Sequence, residues 1–584
     1  MKSSPVTALW RLTLAAGLVC GIGLLPWLAR TDPALTVLKA RSADRDPTPE
    51  VLAGVRGQLG LDQGPLPLLG RWLAGLPRGD AGRSWVSGTA VAPEVLRALG
   101  VSLLLMAVAL AVAVLTAALV CARTLRTGHR GPRAGTGSAV LAALPEFLTA
   151  SVLATVVGVQ LGWLPALGWY GPRWTVLPAL ALGLPAGAVL GRLLDDLLPG
   201  AFAEPWARAA AARGLPHRRI ARQALRRCLP ALLPNAGLFV VGLTGGAVTV
   251  EQVYDIPGLG RTTLQAALAQ DLPVLQAGTL ALLLLAAATT AAAHLAARLL
   301  TGPAPRDGAL STLHRPAPPA RSALPLALAA VLAAVVALGV PRDPLALDTT
   351  TRLQPPSAQH PFGTDALGRD LLARIAHGAL DTLLLACLLG VAALVTGVLL
   401  GLVPRLSAPL ADTVNAVPPV LVALLVTAVT GGDGATPALA VAVVAWAPLA
   451  AHTSALLRQE RATLHLTATR ALGAGRWWLL TRELLPAVLP SVTRHALLRL
   501  PGTALALASL GFLGLGAQPP SPEWGLLLAE NQPYAERAPW AVLAPAAVLA
   551  LLGALAVGAA GGVRVPRLRA RERTVPAREL ATTP

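Results

Sequence analysis

Lysine is nearly missing from this chain: in 584 residues it stands only at Lys2 and Lys39. A phosphate-binding loop of the form Gly-x-x-x-x-Gly-Lys-[Ser/Thr] needs a lysine beside its cradle of backbone N–H groups, and neither position supplies that context. Any ATP hydrolysis coupled to this protein therefore falls to partner chains. Charge of either sign is scarce, with 13% of residues Asp, Glu, Lys or Arg, about half the share in a soluble chain. Aromatic residues make up 4%, and no basic-aromatic platform of the kind that binds nucleic acid is present. The four cysteines, Cys20, Cys121, Cys228 and Cys387, lie singly in or beside apolar segments, without the close pairs of a metal knuckle or redox motif. His360, Asp365 and Asp370 lack an accompanying His-x-x-x-His or His-Glu pairing, so no metal site is expected. No Gly-x-Ser-x-Gly elbow or other catalytic constellation occurs, which speaks against an enzyme.

What the chain has instead is apolar length. Hydrophobic residues are 54% and mean hydropathy is +0.62. Apolar runs near 20 residues, enough to cross a hydrocarbon core of ~30 Å, recur throughout. Twelve spans fit, at about 6–29, 95–121, 138–162, 174–194, 229–250, 274–300, 322–340, 376–403, 413–430, 437–457, 489–512 and 540–562. The first of them, preceded by Lys2, also has the outline of a signal peptide, although it is long for one and contains Arg11.

The formal charge of +19 is almost entirely arginine, clustered between the apolar runs at 123–133, 192–227, 298–321, 405, 458–482 and 564–578. All of these clusters fall on one side if both termini are inside, so the positive-inside rule places both ends in the cytoplasm. Segment 30–94 then faces outward. The proline-rich stretch 301–321 reads as a cytoplasmic linker. It separates a first half at 1–300 from a second at 322–562, followed by a basic cytoplasmic tail at 563–584. Six spans per half give both halves the same orientation, a parallel repeat. The expected fold is an all-α membrane protein of two parallel six-helix halves.

Two landmarks expose the repeat. Arg213-Gly214-Leu215 and Leu472-Gly473-Ala474 are each followed by basic residues and a Leu-Pro, with the glycines 259 positions apart. Gly258-Leu259-Gly260 returns as Gly514-Leu515-Gly516, 256 positions on. Around Gly214, an alanine-rich helix former, a glycine stop and Pro216 predict two short helices at a corner projecting from the membrane; residues from Thr467 to Trp478 have the same layout.

These corners resemble the "EAA" loop of the dipeptide/oligopeptide/nickel permeases of ABC importers, a loop that fits a groove on a cytoplasmic ATPase. The resemblance covers nearly the whole chain. The first half is similar to that family's first permease subunit at 59–63, 79–84, 162–165 and 257–261. The second is similar to the partner subunit at 360–370, 509–516 and 518–525. These subunits are usually separate chains, and here they are fused. Two departures stand out: Thr467 replaces the family's glutamate in the second loop, and Leu507 replaces one late in the fifth span of the second subunit, whereas the first half keeps Glu204 and Glu251.

The resemblance implies a type I ABC importer permease fold, with two cytoplasmic ATPases carrying the ATP and Mg, an external solute-binding protein, and no cofactor on this chain. It implies short peptides as cargo, with nickel or a metal chelate as a variant. ATPase coupling is expected at Glu204, Arg208, Arg213, Gly214, Leu215 and Arg218, in a loop at about 202–228. Ala471, Leu472, Gly473, Ala474 and Arg476 are their counterparts in a loop at about 458–486. The binding-protein face is expected at Pro257, Gly258, Gly260, Arg261, Asp365, Arg369, Asp370 and Trp524. Ionisable groups at membrane depth are costly, so Glu146, Glu251, Arg494 and Arg499 are candidates for the substrate path. Asp365 is expected to cap a short helix at 366–375. The rival class is an ion-coupled secondary transporter, which needs carboxylates at the midplane and has no use for paired glycine corners.

Overall fold

The computed structural model describes residues 5–29, 32–41, 46–128, 136–301, 323–415, 417–430 and 434–562. The proline-rich linker after Thr301, the basic tail from 563 and part of the first arginine cluster lie outside the described residues. Among them every regular element is a helix, apart from two isolated bridges.

Twelve helical segments stand where the sequence places twelve spans. In the first half they are α1 (Pro5–Gly23), α2 (Val91–Thr127), α3 (Glu146–Leu153), α4 (Pro172–Ala203), α5 (His217–Val253) and α6 (Leu272–Thr301). In the second they are α7 (Leu324–Gly339), α8 (Leu371–Gly401), α9 (Pro419–Thr430), α10 (Thr436–Arg461), α11 (Leu485–Phe512) and α12 (Pro539–Gly562). Among the described residues six helices are long and apolar enough to span a bilayer unaided: α2, α4, α6, α8, α10 and α12. A seventh is the pair Ser407–Asn415 and Pro419–Thr430, bent by 92°. The third span of the first half is broken similarly, because Pro145 has no N–H to continue the helix Thr136–Ala143. α11 falls short because Arg494 and Arg499 interrupt its apolar face.

Within each half the second and fourth spans pack closely on glycine. Gly183, Gly187 and Gly191 recur every four residues along α4, and a Cβ on Gly187 would stand 2.4 Å from the Ala113 carbonyl of α2. In the second half the glycines have changed sides: Gly397 and Gly401 on α8 face Leu449 and Thr453 on α10. Lipid offers no hydrophobic drive for helix pairing, so close backbone approach through small residues supplies the contact.

The halves also interlock. α12 packs on Glu146–Leu153 of the first half, and α9 packs on α5, α6 and the short helix Leu259–Leu268. One core runs through both halves, from Phe147 and Tyr254 to Phe512 and Trp524. At the end bearing the glycine corners this unity is lost. There Cys121, Leu198 and Cys228 form a small core of the first half, and Leu449, Leu457 and Val492 one of the second.

Candidate translocation path and coupling corners

Each corner is a short helix, a left-handed glycine and a long helix. In the first, Pro205–Ala212 precedes Gly214 at φ +74°, and α5 begins at His217. In the second, Leu464–Ala471 precedes Gly473 at φ +91°. A β-carbon is strained at such angles, whereas glycine is not. The expected second short helix is absent: the chain after Gly214 runs on without a break to Val253. After Gly473 it continues through Arg476–Trp478 and a π-helical turn, Leu479–Leu484, into α11. The helix runs on through Pro230 and Pro234 in the first half and through Pro486 and Pro490 in the second, so the corner is the root of the fifth span itself.

Arg208, Arg213, Gly214 and Arg218 are exposed, and Leu215 packs on Ala207, Ala210 and Ile220. The second corner has a different surface. Leu464, Leu472 and Trp477 are 88%, 89% and 77% exposed, beside exposed Ala471, Gly473 and Arg476, while Ala474 is half-buried. Glu204 is not on the corner helix but at its N-cap position, accepting from Trp206 Nε1 (2.7 Å) and paired with Arg227 (3.3 Å). Counted back from each glycine, its counterpart is Thr463, which is also an N-cap. Thr467 instead corresponds to Arg208, so Glu204 is not a retained equivalent of the residue that Thr467 replaces.

Between the halves lies a cavity of about 560 Å³. Its walls are matched elements of the two repeats: Pro145 with Pro418, Pro185 with Pro448, and Gly246 with Gly502. The third, fourth and fifth spans of both halves thus enclose it. Glu146 and Arg499 both line this cavity, whereas Arg494 and Glu251 do not. Arg494 is half-buried on α11 outside the cavity. Glu251 is fully buried, accepting from the Ser102 hydroxyl (2.5 Å) and the Arg261 N–H (3.0 Å). Ser102 Oγ in turn accepts from the Leu259 N–H (2.8 Å). Glu251 therefore holds the start of Leu259–Leu268, the helix linking the fifth and sixth spans at the end away from the corners.

The matching helix of the second half, Trp524–Asn531, is held the same way by a different residue. Glu523 accepts from the N–H groups of Gly525 (3.0 Å) and Leu526 (2.8 Å). Its carboxylate lies against Gly511, one turn beyond Leu507, and a Cβ at Gly511 would collide with it. The carboxylate missing at Leu507 has thus been supplied from the loop, a substitution invisible to residue-by-residue matching. Burial pushes the Glu523 carboxyl up to about 7, against the downward pull of its two backbone donors. The folded state therefore holds this proton more tightly than the unfolded chain, and the stabilisation present below pH 4.5 is lost as pH rises through about 7. The melting midpoint of wild type relative to Glu523→Gln is expected to fall across that window; a constant difference would refute the assignment.

Several residues expected on the binding-protein face serve as locks instead. Asp365 is 1% exposed and accepts from Arg369 Nε (2.7 Å) and Arg374 Nη1 (2.8 Å); both arginines also reach Glu530, at 3.2 and 2.8 Å. No helix starts at 366. α8 begins at Leu371 with Asp370 as its N-cap, because Asp365 spends its acceptors on the N–H groups of Leu367 and Arg369 and on the arginines. Trp524 is fully buried and donates to the Ile375 carbonyl (2.8 Å). Gly258 and Gly260 are buried as well, while Pro257 is exposed, and Arg261, like Asp370, is partly so. In the first half Asp271 plays the locking part, accepting from the Ser84 hydroxyl and from the Trp85 N–H (3.0 Å). Sequence reasoning passed over Arg374, Glu530, Glu523 and Asp271. For Arg374, Glu530 and Asp271 a lone charge beside an apolar run was the only signal, whereas Glu523 lies within the stretch 518–525 that carries the resemblance.

A tandem repeat of helices around a shared central cavity, with one projecting corner per repeat, defines a two-half membrane permease. The chain belongs to the family of binding-protein-dependent transport system inner membrane components, whose model matches it twice, at residues 115–302 and 390–568. It is similar to the di/tripeptide transport system permease protein of Pseudomonas aeruginosa, 37% identical over 208 residues, which are 33% of this chain and 69% of that protein. The glutathione transport system permease protein of Escherichia coli is 36% identical over 190 residues, 30% of this chain and 60% of that protein. The alignments take in about a third of this chain but most of each relative, in keeping with two permeases fused into one chain. The protein is thus a multi-pass inner-membrane permease subunit.

Proposed function

We propose that this single chain forms the whole transmembrane path of an ATP-driven importer of short peptides. Two cytoplasmic ATPases dock at the corners around Gly214 and Gly473, and an external binding protein delivers cargo at the opposite end, near segment 30–94. Both termini lie in the cytoplasm. The first half ends near 300, the linker near 321 and the second half near 562. One observation carries the reading: two left-handed glycine corners, one per repeat, are each continuous with a fifth span that walls the central cavity. A push on a corner is transmitted along that helix to the cavity. The peptide cargo rests on the relatives' names.

The test is reconstitution of the purified chain in liposomes. Uptake of labelled trialanine is expected only with the partner ATPases, ATP and the binding protein all present. Uptake driven by an ion gradient without ATPases would overturn the reading in favour of a secondary transporter.

A further inference from the structure

The central cavity is lined largely by apolar side chains, with Thr249, Asn415 and Ser509 among them, and its described lining carries one full charge of each sign. Glu146 is contributed by the first half and Arg499 by the second. Neither forms an ion pair among the described residues. Arg499 is exposed at the middle of α11, and Glu146 is half-buried at the break after Pro145. Charges at membrane depth are disfavoured unless they face a cavity or a partner, and such residues mark solute pathways. Neither charge is repeated in the other half. Glu146 stands opposite Pro419 in the second half, and the 256-residue offset puts Leu243 where Arg499 would recur. A wall built of matched prolines and glycines thus carries one unmatched charge of each sign.

The levels of the two charges are fixed by the same repeat. The Glu146 side chain lies against Gly246, so near that a Cβ there would be 3.1 Å from its carboxyl carbon. Gly502 is the counterpart of Gly246, and Arg499 precedes it by three residues, about 4.5 Å of helix rise toward the corner end. The carboxylate and the residue bearing the guanidinium are thus offset along the path.

We propose that the cavity is a bipolar site for a zwitterion: Glu146 holds the ammonium of the solute and Arg499 its carboxylate, with the carboxylate nearer the corners. The assignment rests on the importer reading above and adds to it the residues that set specificity. A wall with charges of one sign would select a cation or an anion. Charges of opposite sign, one from each half, select a solute bearing both.

Equilibrium binding to the purified chain with its ATPases, without the binding protein, excludes recognition by that protein. The probes are labelled trialanine, N-acetyl-trialanine and trialanine amide. Wild type is expected to bind trialanine about tenfold more tightly than either blocked peptide, the size of one charge-assisted hydrogen bond lost. Glu146→Gln should bring trialanine down to the level of the N-acetyl form while leaving that form unchanged. Arg499→Gln should do the same with respect to the amide, and Arg499→Lys should restore most of the loss. Equal weakening of all three probes by either glutamine variant, or unchanged trialanine binding, overturns the assignment. If wild type shows no ATP-driven trialanine uptake, the peptide reading itself falls and takes this one with it. Uptake without probe discrimination sinks this one alone.

Discussion

Valine in place of Gly473 or Gly214 is expected to abolish ATP-driven uptake while leaving the amount of protein in the membrane unchanged. Both glycines hold positive φ, +74° and +91°, where an L-residue pays about 1–2 kcal/mol and a β-branched one more. A Cβ at either position meets nothing within 4 Å. The effect is therefore confined to the turn and leaves the packed core alone. Strain of about 1–3 kcal/mol shifts the corner roughly 5- to 150-fold toward geometries in which the short helix no longer projects. Asparagine tolerates the left-handed region, so Gly→Asn variants should keep most activity. Uptake assays beside quantification of membrane protein and of co-purified ATPase make the check. Full transport by both valine variants would end the docking role. The Gly473 variant is expected to shed its ATPase more readily, because that corner offers Leu464, Leu472 and Trp477 to a partner.

Asp365→Ala is expected to be the most destabilising single change at the end away from the corners. It leaves Arg374, 0% exposed, and Arg369, 5% exposed, with Glu530 as their one remaining carboxylate among the described residues. Removing one member of a buried charge network costs about 3–5 kcal/mol, chiefly because its partners stay buried without compensation. That is a large part of the ~5–15 kcal/mol that holds a domain folded. Glu530→Gln should cost much less, since it keeps an acceptor and leaves both Asp365 ion pairs in place. The melting midpoint in detergent, followed for both variants, is the measurement. An Asp365→Ala protein that melts with wild type would show that the network contributes nothing net. The consequence is geometric: Asp365 ties the loop before α8 to the helix Trp524–Asn531, so its loss should loosen the end away from the corners.

The spans and corners were legible because both are local. An apolar run of membrane length has to be a helix, since lipid leaves no other partner for its N–H and C=O groups. The glycine corners showed through repetition, as two glycines in matching surroundings 259 positions apart. Residue-by-residue matching went astray where a role had moved. The carboxylate that holds the helix between the fifth and sixth spans sits at Glu251 in one half and at Glu523 in the other, on different elements. Glu204 misled for a related reason. Its identity suggested the coupling loop's acid, but its distance from Gly214 makes it an N-cap.

By itself the sequence determined that this is a helical membrane protein of two like halves, without a nucleotide loop, and where its corners turn. Those features follow from hydropathy, arginine placement and backbone preference, each acting within a few residues. Only the tertiary structure decided which charges share a space. Glu146 and Arg499 lie 353 positions apart and meet at one cavity, while Arg494, five residues from Arg499, is kept out of it. Burial of Asp365 with Arg374 and Glu530 is equally a product of packing, because the rotation of a helix about its axis is set by its neighbours.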